Sequence, residues 1–421
     1  MEDTAKKFYP LRPMQRWLID THFNKAKSTM MNIGALSKLS PLIDIPSFAD
    51  AINTVLSTYD IFRCRFVLHP ETLEICQTFD GEVMPVIIEE WTDQEFDMIK
   101  KYLAEPYDII GKPLYRVYLF KTPSANYFYL DFYHAVADGT ALAVIFLREI
   151  DKAFRGNKKK KSVPSYAEYI ESQMNINPEE LAEGHAYWQK MLAPFDPEKH
   201  LPPTKVQRDA AWTQGNLEYK FQNVSDEYFH KTHVKENHFF LGAAMLTLAK
   251  VTGSKSSIMS WIHNGRTTMR EMRLFGLMLE QFPCAWDFHE DNSVEDFLSK
   301  LHGQIQIGMK YRKSLDMVYD NGLEDECVSF IFQKKFYEDF AFNDMNCSIV
   351  DLPPNEISAA ENALDIEINS EVMGDYTVFL DYDSSLYSEA EMKNFAETMD
   401  KIILAMKNPK TLTSEILSDN F

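Results

Sequence analysis

The residues best suited to chemistry in this chain lie in the segment 133–139, YHAVADG. His134 carries an imidazole, which titrates near neutral pH and can accept a proton from a nucleophile. Asp138 could either orient that imidazole or anchor the loop through a cation elsewhere. Gly139 would permit a positive φ where the turn enters a helix. The segment predicts a catalytic base at His134, although a histidine beside a strand end is also compatible with a purely structural role.

An aromatic strand and an apolar helix are predicted on either side of this segment. Residues 127–133 form one arm of a hairpin whose other arm is 114–121, because turn-forming residues separate the two runs. The helix predicted over 140–154 carries one apolar face. His134 is therefore expected where a strand passes into a helix, with its side chain able to face a cavity.

Hydrophobic periodicity predicts further elements on both sides of a basic loop at 155–161, RGNKKKK. Helices are predicted at 47–56 with Ser47 as N-cap, and at 165–174, 179–192, 239–250, 294–311 and 388–406. Strands are predicted at 60–67, 256–262, 328–332 and 377–382. The alternation indicates an α/β protein with two lobes, divided as residues 1–170 and 171–421.

Composition narrows the class of protein. The chain has 421 residues, 45% hydrophobic and 25% charged, which is ordinary for a globular protein with a large core. A net charge of −20 argues against nucleic acid as the main ligand, since binding phosphates needs a basic surface.

The sequence also bears on location and on metal binding. The five scattered cysteines form no Cys-x-x-Cys pair, which indicates reduced thiols rather than disulfides or zinc. The histidines at 230, 233 and 238 lack Cys or carboxylate partners at a metal-ligand spacing, so no metal is expected. No signal peptide and no membrane span are predicted, and we expect a cytoplasmic monomer.

The segment 133–139 resembles the His-His-x-x-x-Asp-Gly motif of the condensation domains of nonribosomal peptide synthetases. These domains belong with chloramphenicol acetyltransferase-like, thioester-dependent acyltransferases. Residues 8–18 are similar to the first family motif around Pro13-Met14-Gln15, with Arg12 where the family usually has Ser. Residues 58–66 resemble a second motif, with Arg63 at its second Arg. Further similarities follow in family order at 165–169, 187–192, 264–266, 275–278 and 380–412.

The resemblance implies two chloramphenicol acetyltransferase-like lobes that form a V-shaped pseudo-dimer with a central tunnel. Acceptor and donor would arrive on the phosphopantetheine of carrier domains or on coenzyme A, with no cofactor bound directly to the chain. His134, which matches the second motif His, would deprotonate or position an amine as it attacks a thioester.

The resemblance also implies roles for residues around His134. Asp138 would pair with Arg63 and support the motif together with Gly139. Tyr133 replaces the first motif His, which in this family is thought to support the loop. Asn264, Arg266 and Gln333 are candidates for lining the tunnel, and each is equally compatible with a role as a surface or capping residue.

A starter condensation domain is the function that the resemblance favours. Met1 lies just upstream of the first motif, and no carrier domain precedes it in this sequence. Such a domain N-acylates the first carrier-bound amino acid with a fatty acyl group from acyl-CoA or acyl carrier protein. Two alternatives stay open: a free-standing acyltransferase acting on a soluble alcohol or amine, and a catalytically silent domain that binds carrier proteins.

Overall fold

The computed structural model describes residues 6–24, 28–157, 162–174, 176–193, 214–315, 328–334, 340–350, 352, 362–371 and 373–419. Contacts between residues divide the chain into two compact units. The first unit comprises Met1–Asn175, Asn264–Leu279 and Phe336–Ser358; the second comprises Ile176–His263, Glu280–Lys335 and Ala359–Phe421. The second unit is thus not the contiguous stretch 171–421 that the sequence predicts.

A six-stranded mixed sheet forms the centre of the first unit, in the order β11-β12-β1-β6-β5-β4. Its strands are β1 (Asn32–Lys38), β4 (Ile87–Glu90), β5 (Tyr115–Lys121), β6 (Asn126–Tyr133), β11 (Phe340–Phe342) and β12 (Met345–Val350). The predicted hairpin is confirmed, since β5 and β6 pair antiparallel from Tyr115 opposite Phe132 to Lys121 opposite Asn126. A two-stranded hairpin of β2 (Arg65–Leu68) and β3 (Ile75–Thr78) completes the strands described in this unit.

The α-helices described in the first unit are α1 (Pro13–Asn24), α2 (Ile45–Thr58), α3 (Asp93–Ile99), α4 (Leu147–Phe154) and α5 (Tyr166–Met174). Side chains cap the start of two of them, α2 and α3. The N-cap of α2 is Asp44, not the predicted Ser47, because the Asp44 carboxylate accepts from the Ser47 N–H at 3.0 Å. The predicted strand 60–67 begins only at Arg65. Residues 60–63 form a 3₁₀ turn in which Asp60 accepts from the N–H groups of Tyr166 and Ala167.

Phe275 explains why residues 264–279 belong to the first unit. Its ring is buried and lies 5.0 Å from the ring of Phe62 and 5.8 Å from that of Phe146. The next residue, Gly276, has a φ of 153°, and a Cβ there would stand 2.3 Å from the Tyr166 ring. Glycine at this position therefore lets the segment approach α5 closely.

The second unit is built on another six-stranded sheet, in the order β7-β14-β13-β10-β8-β9. Its strands are β7 (Gln214–Lys220), β8 (Ser256–His263), β9 (Glu280–Asp287), β10 (Val328–Lys334), β13 (Leu364–Ser370) and β14 (Tyr376–Asp383). Along β13 the apolar residues Leu364, Ile366 and Ile368 are fully buried and alternate with polar ones. The sheet therefore has one apolar face and one polar face.

Helices of the second unit supply most of its apolar core. They are α6 (Pro178–Leu192), α7 (Asp226–Thr232), α8 (Glu236–Thr252), α9 (Val294–Lys310), α10 (Glu389–Met406) and α11 (Thr413–Leu417). The long helices predicted at 239–250, 294–311 and 388–406 are confirmed as α8, α9 and α10. Across the residues that the structure describes, every helix is too short or too polar to cross a membrane.

Candidate active site

His134 lies directly after β6, as predicted. Residues 134–136 form a 3₁₀ turn, whose first N–H donates to the Met31 carbonyl at 2.8 Å. A π-helical segment over Thr140–Phe146 follows and leads into α4. Gly139 has a φ of −54°, so the positive φ that a glycine permits is not used here. Its right-handed helical conformation is one that any residue can adopt.

The imidazole of His134 is partly buried. Its Nδ1 atom is shielded from solvent and has no hydrogen-bond partner of acceptable geometry among the described residues. Burial lowers the pKa of His134 below its usual 6.5, because an imidazolium is poorly solvated there; the Asp138 charge and nearby backbone groups oppose this shift. At neutral pH the ring is therefore neutral and can accept a proton.

Asp138 pairs with Arg266 and not with Arg63. The Asp138 Oδ2 atom accepts from Arg266 Nη1 at 2.8 Å and from the backbone N–H of Met278 at 2.8 Å. The Oδ1 atom accepts from the Ala141 N–H at 2.8 Å. The side chains of this ion pair are 3% and 0% exposed. The carboxylate thus joins the turn after His134 to the segment 264–279.

Arg63 is exposed, and its guanidinium donates to the Gly81 carbonyl at 3.3 Å. The predicted pairing with Asp138 fails because residues 60–63 turn away as a 3₁₀ helix. The neighbouring Arg65 is the buried arginine of this region, and it donates to the backbone carbonyls of Cys64 and Glu82.

Two of the residues predicted to line a tunnel, Asn264 and Arg266, make hydrogen bonds within the first unit. The Nη1 atom of Arg266 donates to Asp138 and to the Asn264 carbonyl, and its Nη2 atom donates to the carbonyls of Leu274 and Gly276. The Asn264 Oδ1 atom accepts from the Arg266 N–H at 3.2 Å, so this exposed side chain caps the bend before Arg266.

Gln333, the third predicted tunnel residue, lies on β10 in the second unit, beside Asn369 of β13. The polar face of this sheet borders a cavity of about 510 Å³. Its lining comprises Asn216, Leu217, Glu218, Glu367, Asn369, Phe379 and Asp381. Burial raises the pKa of both Glu367 and Asp381.

Tyr133 is fully buried beneath the turn. Its hydroxyl donates to the Leu18 carbonyl of α1 at 3.3 Å, and its ring contacts His22 edge-on, with centroids 5.4 Å apart. Burial raises the pKa of Tyr133, so the hydroxyl stays protonated and remains a donor. Tyr133 therefore ties the end of β6 to α1.

Sequence reasoning assigned no role to Gln15, yet this side chain touches the turn. It is fully buried, and its Nε2 atom donates to the Ala135 carbonyl at 2.9 Å. A signal was present, because Gln15 lies three and four residues before the buried Leu18 and Ile19, on the apolar face of α1. A polar residue on a buried face needs hydrogen-bond partners.

The described part of the chain contains no group of three or more His, Cys, Asp or Glu residues arranged to hold a metal ion. The four cysteines it includes are free and buried.

A family model described as the condensation domain matches residues 5–420. The chain belongs to the condensation domain family. Domains of this family are acyltransferase-type enzymes that form amide bonds in nonribosomal peptide synthesis.

Among curated proteins, the chain is 24% identical over 347 residues to the hybrid PKS-NRPS synthetase gkaA of Penicillium citrinum, covering 77% of this chain and 8% of that protein. It is 21% identical over 334 residues to gramicidin S synthase 2 of Brevibacillus brevis, covering 74% and 7%. The chain thus spans less than a tenth of the length of these relatives.

Solved structures share the fold across nearly the whole chain. The condensation domain of the monacolin K polyketide synthase MokA superposes with a TM-score of 0.78 at 17% identity, covering 97% of this chain and 99% of that one. A variant of the starter condensation domain of rhizomide synthetase RzmA, in complex with C8-CoA, gives 0.75 at 15% identity, covering 97% and 96%. The epimerization domain of tyrocidine synthetase B gives 0.75 at 16% identity, covering 99% of each chain.

Proposed function

We propose that this chain forms an amide bond between a carrier-bound aminoacyl group and an acyl thioester, with His134 as its catalytic residue. The observation that carries the proposal is the position of His134 directly after the strand end of a condensation-family fold, with an Nδ1 atom that has no hydrogen-bond partner among the described residues. A neutral imidazole can take a proton from the attacking amine.

In the proposed reaction the amine nitrogen bonds to the thioester carbonyl carbon, and the carbon–sulfur bond breaks. The proton lost by the amine passes through the imidazole to the departing thiolate. His134 would act as a base, as a group that positions the amine, or as both; each effect can contribute a factor of ~10² or more to the rate.

Asp138 serves this reaction indirectly. Its two oxygens are taken by Arg266, Met278 and Ala141, so it anchors the turn that carries His134. Tyr133 and Gly139 complete the turn, and Arg63 lies outside it.

The donor we propose is a fatty acyl group on coenzyme A or on an acyl carrier protein, and the acceptor is the first carrier-bound amino acid. The similarity to a starter condensation domain in complex with C8-CoA supports a donor of this class. We also propose that the protein is a cytoplasmic monomer and that its partner is an acceptor carrier domain.

A catalytically silent carrier-binding domain is the second candidate. It is favoured by Tyr133, which stands where the family motif has its first His, and by Arg12, which stands where the first family motif usually has Ser.

The deciding experiment combines the protein with a panel of aminoacyl carrier domains and acyl-CoA or acyl carrier protein donors, and detects the carrier-bound amide by mass spectrometry. His134→Ala is expected to lower the rate ~10²–10⁴-fold. The matched control is His289→Ala, because His289 is an exposed histidine in the second unit.

Three outcomes oppose the proposal. If no donor gives an amide, the chain is the silent domain. If soluble amines or alcohols react as fast as carrier-bound ones, it is a free-standing acyltransferase. If His134→Ala reacts as fast as the parent protein, the role of His134 is wrong.

A further inference from the structure

Gln15 contacts the turn through an amide whose hydrogen-bonding capacity is used completely. Its Nε2 atom donates to the Ala135 carbonyl at 2.9 Å and to Gln77 Oε1 at 3.2 Å. Its Oε1 atom accepts from the Arg12 N–H at 3.0 Å and from Gln77 Nε2 at 2.9 Å. A glutamine amide has two donor hydrogens and two acceptor lone pairs, so nothing is left over.

The orientation of this amide is fixed by its backbone partners. The Ala135 carbonyl can only accept, and the Arg12 N–H can only donate. Rotating the Gln15 amide by 180° would set oxygen against oxygen and nitrogen against nitrogen. Because Gln15 is fully buried, no water can take over these contacts at low cost.

Two other residues at or near the N-terminal half of α1, Arg12 and Leu18, also form hydrogen bonds to residues around the turn that carries His134. The Leu18 carbonyl accepts from the Tyr133 hydroxyl, which lies on the residue before His134. Arg12 donates to the Leu277 carbonyl at 2.5 Å, within the segment that Asp138 also binds. Residues 12–18 therefore contact the chain immediately before His134, immediately after it, and in the segment 264–279.

We propose that Gln15 is a positioning residue for His134. By holding the Ala135 carbonyl, it fixes the 3₁₀ turn and with it the direction in which the imidazole points. Displacing reacting groups by about 1 Å can lower a rate ~10²-fold, so a contact one residue away from the base is well placed to set the rate. This inference rests on the proposed function. Of the two measurements that test it, the titration of His134 does not require the protein to form an amide.

The test uses Gln15→Leu, which keeps the volume but removes every polar contact of the amide. We expect kcat for amide formation to fall ~10–100-fold, while KM for the aminoacyl carrier changes less than about twofold. The matched control is Asp44→Ala, which removes a backbone contact at the start of α2 in the same unit and should leave kcat unchanged.

The second readout is the NMR titration of ¹³C-labelled histidine, with the His134 signal assigned by its absence in His134→Ala. We expect the midpoint for His134 in Gln15→Leu to move towards 6.5, because a loosened turn exposes the ring. An unchanged kcat or an unchanged midpoint in folded Gln15→Leu overturns the inference. If the parent protein forms no amide, the proposed function fails, and the titration alone then decides on Gln15.

Should Gln15→Leu fail to fold, Gln15→Glu takes its place. The glutamate keeps an acceptor for the Arg12 N–H but, once ionised, has no donor for the Ala135 carbonyl. The expected loss of rate relative to the parent protein therefore grows as pH rises. A buried carboxyl group ionises within about pH 6 to 9. If the ratio of the Gln15→Glu rate to the parent rate stays constant over this range, the inference is overturned.

Discussion

Asp138 and Arg266 form a buried ion pair, with Oδ2 and Nη1 2.8 Å apart and the two residues 128 positions apart in the chain. The remaining contacts of Asp138 go to the backbone N–H groups of Ala141, Met278 and Leu279. No hydrogen bond joins Asp138 to His134 in the described part of the chain. Of the two roles that the motif allows, orienting the imidazole or anchoring the loop, the geometry supports the anchor.

Removing the Asp138 carboxylate should destabilise the protein strongly, because Arg266 would be left as a buried charge without its partner. We expect Asp138→Ala to lower the free energy of unfolding by ~3–5 kcal/mol, measured by urea denaturation. Arg63→Ala is the control; since Arg63 is exposed, its effect should stay within about 0.5 kcal/mol. Equal losses in the two variants would contradict the Asp138–Arg266 assignment.

The rate of amide formation should stay high below the pH at which an ordinary histidine is protonated. Burial lowers the pKa of His134, and an imidazole accepts a proton only when it is neutral, so the acid limb of the single-turnover rate should have its midpoint below 6.5. A quench-flow measurement with a preloaded carrier gives this profile. A midpoint at or above 6.5 would show that His134 is not the titrating base.

The same lowered pKa has a consequence for folding. An unfolded chain binds a proton at His134 more readily than the folded chain does, so acid favours unfolding. We expect the contribution of His134 to stability to be present above pH 6.5 and to be lost as pH falls below it. Urea denaturation of the parent protein and of His134→Ala at pH 7.5 and 5.5 tests this. The parent should lose more stability between these values than the variant; an equal loss in both would contradict the prediction.

Tyr133 should stabilise the turn mainly through its ring and less through its hydroxyl. Tyr133→Phe loses the bond to the Leu18 carbonyl, which is worth ~1 kcal/mol. Tyr133→Ala loses a fully buried aromatic ring, which is worth ~3–5 kcal/mol. Thermal and urea unfolding measure both, and a larger effect of Phe than of Ala would contradict this division.

Neutralising Glu367 should stabilise the second unit at neutral pH. Burial raises the pKa of Glu367, and the charges of Asp381 and Asp365 add to this shift. A carboxyl group whose folded pKa is raised loses stability as pH rises from its ordinary value of 4.5 through the folded one.

Glu367→Gln should therefore raise Tm at pH 7.5 and make Tm depend less on pH above 4.5, as measured by differential scanning calorimetry. Glu218→Gln is the control, because Glu218 lines the same cavity but is exposed. A lower Tm for Glu367→Gln than for the parent protein would show that the charge is compensated.

Local sequence patterns predicted the helices and strands well. They predicted contacts between residues distant in sequence poorly. The hairpin of β5 and β6 and the helices α8, α9 and α10 follow from periodicity, which acts over neighbouring residues. Periodicity could not predict the partner of Asp138, because the sequence contains several arginines. Arg266 is the partner because the chain path of 264–279 brings it to Asp138. Gly139 shows a further limit: a glycine permits a positive φ but does not impose one.

Asp138 and Arg266 lie in one unit but in two separate stretches of sequence, and strands of the other unit lie between those stretches. Recombination between genes that encode related condensation domains, with a single crossover between residues 175 and 264, would take the carboxylate from one parent and the guanidinium from the other. The Tyr166 hydroxyl and the Leu277 carbonyl it binds at 2.8 Å would be separated in the same way. An exchange that carries both 1–175 and 264–279 from one parent keeps both pairs together.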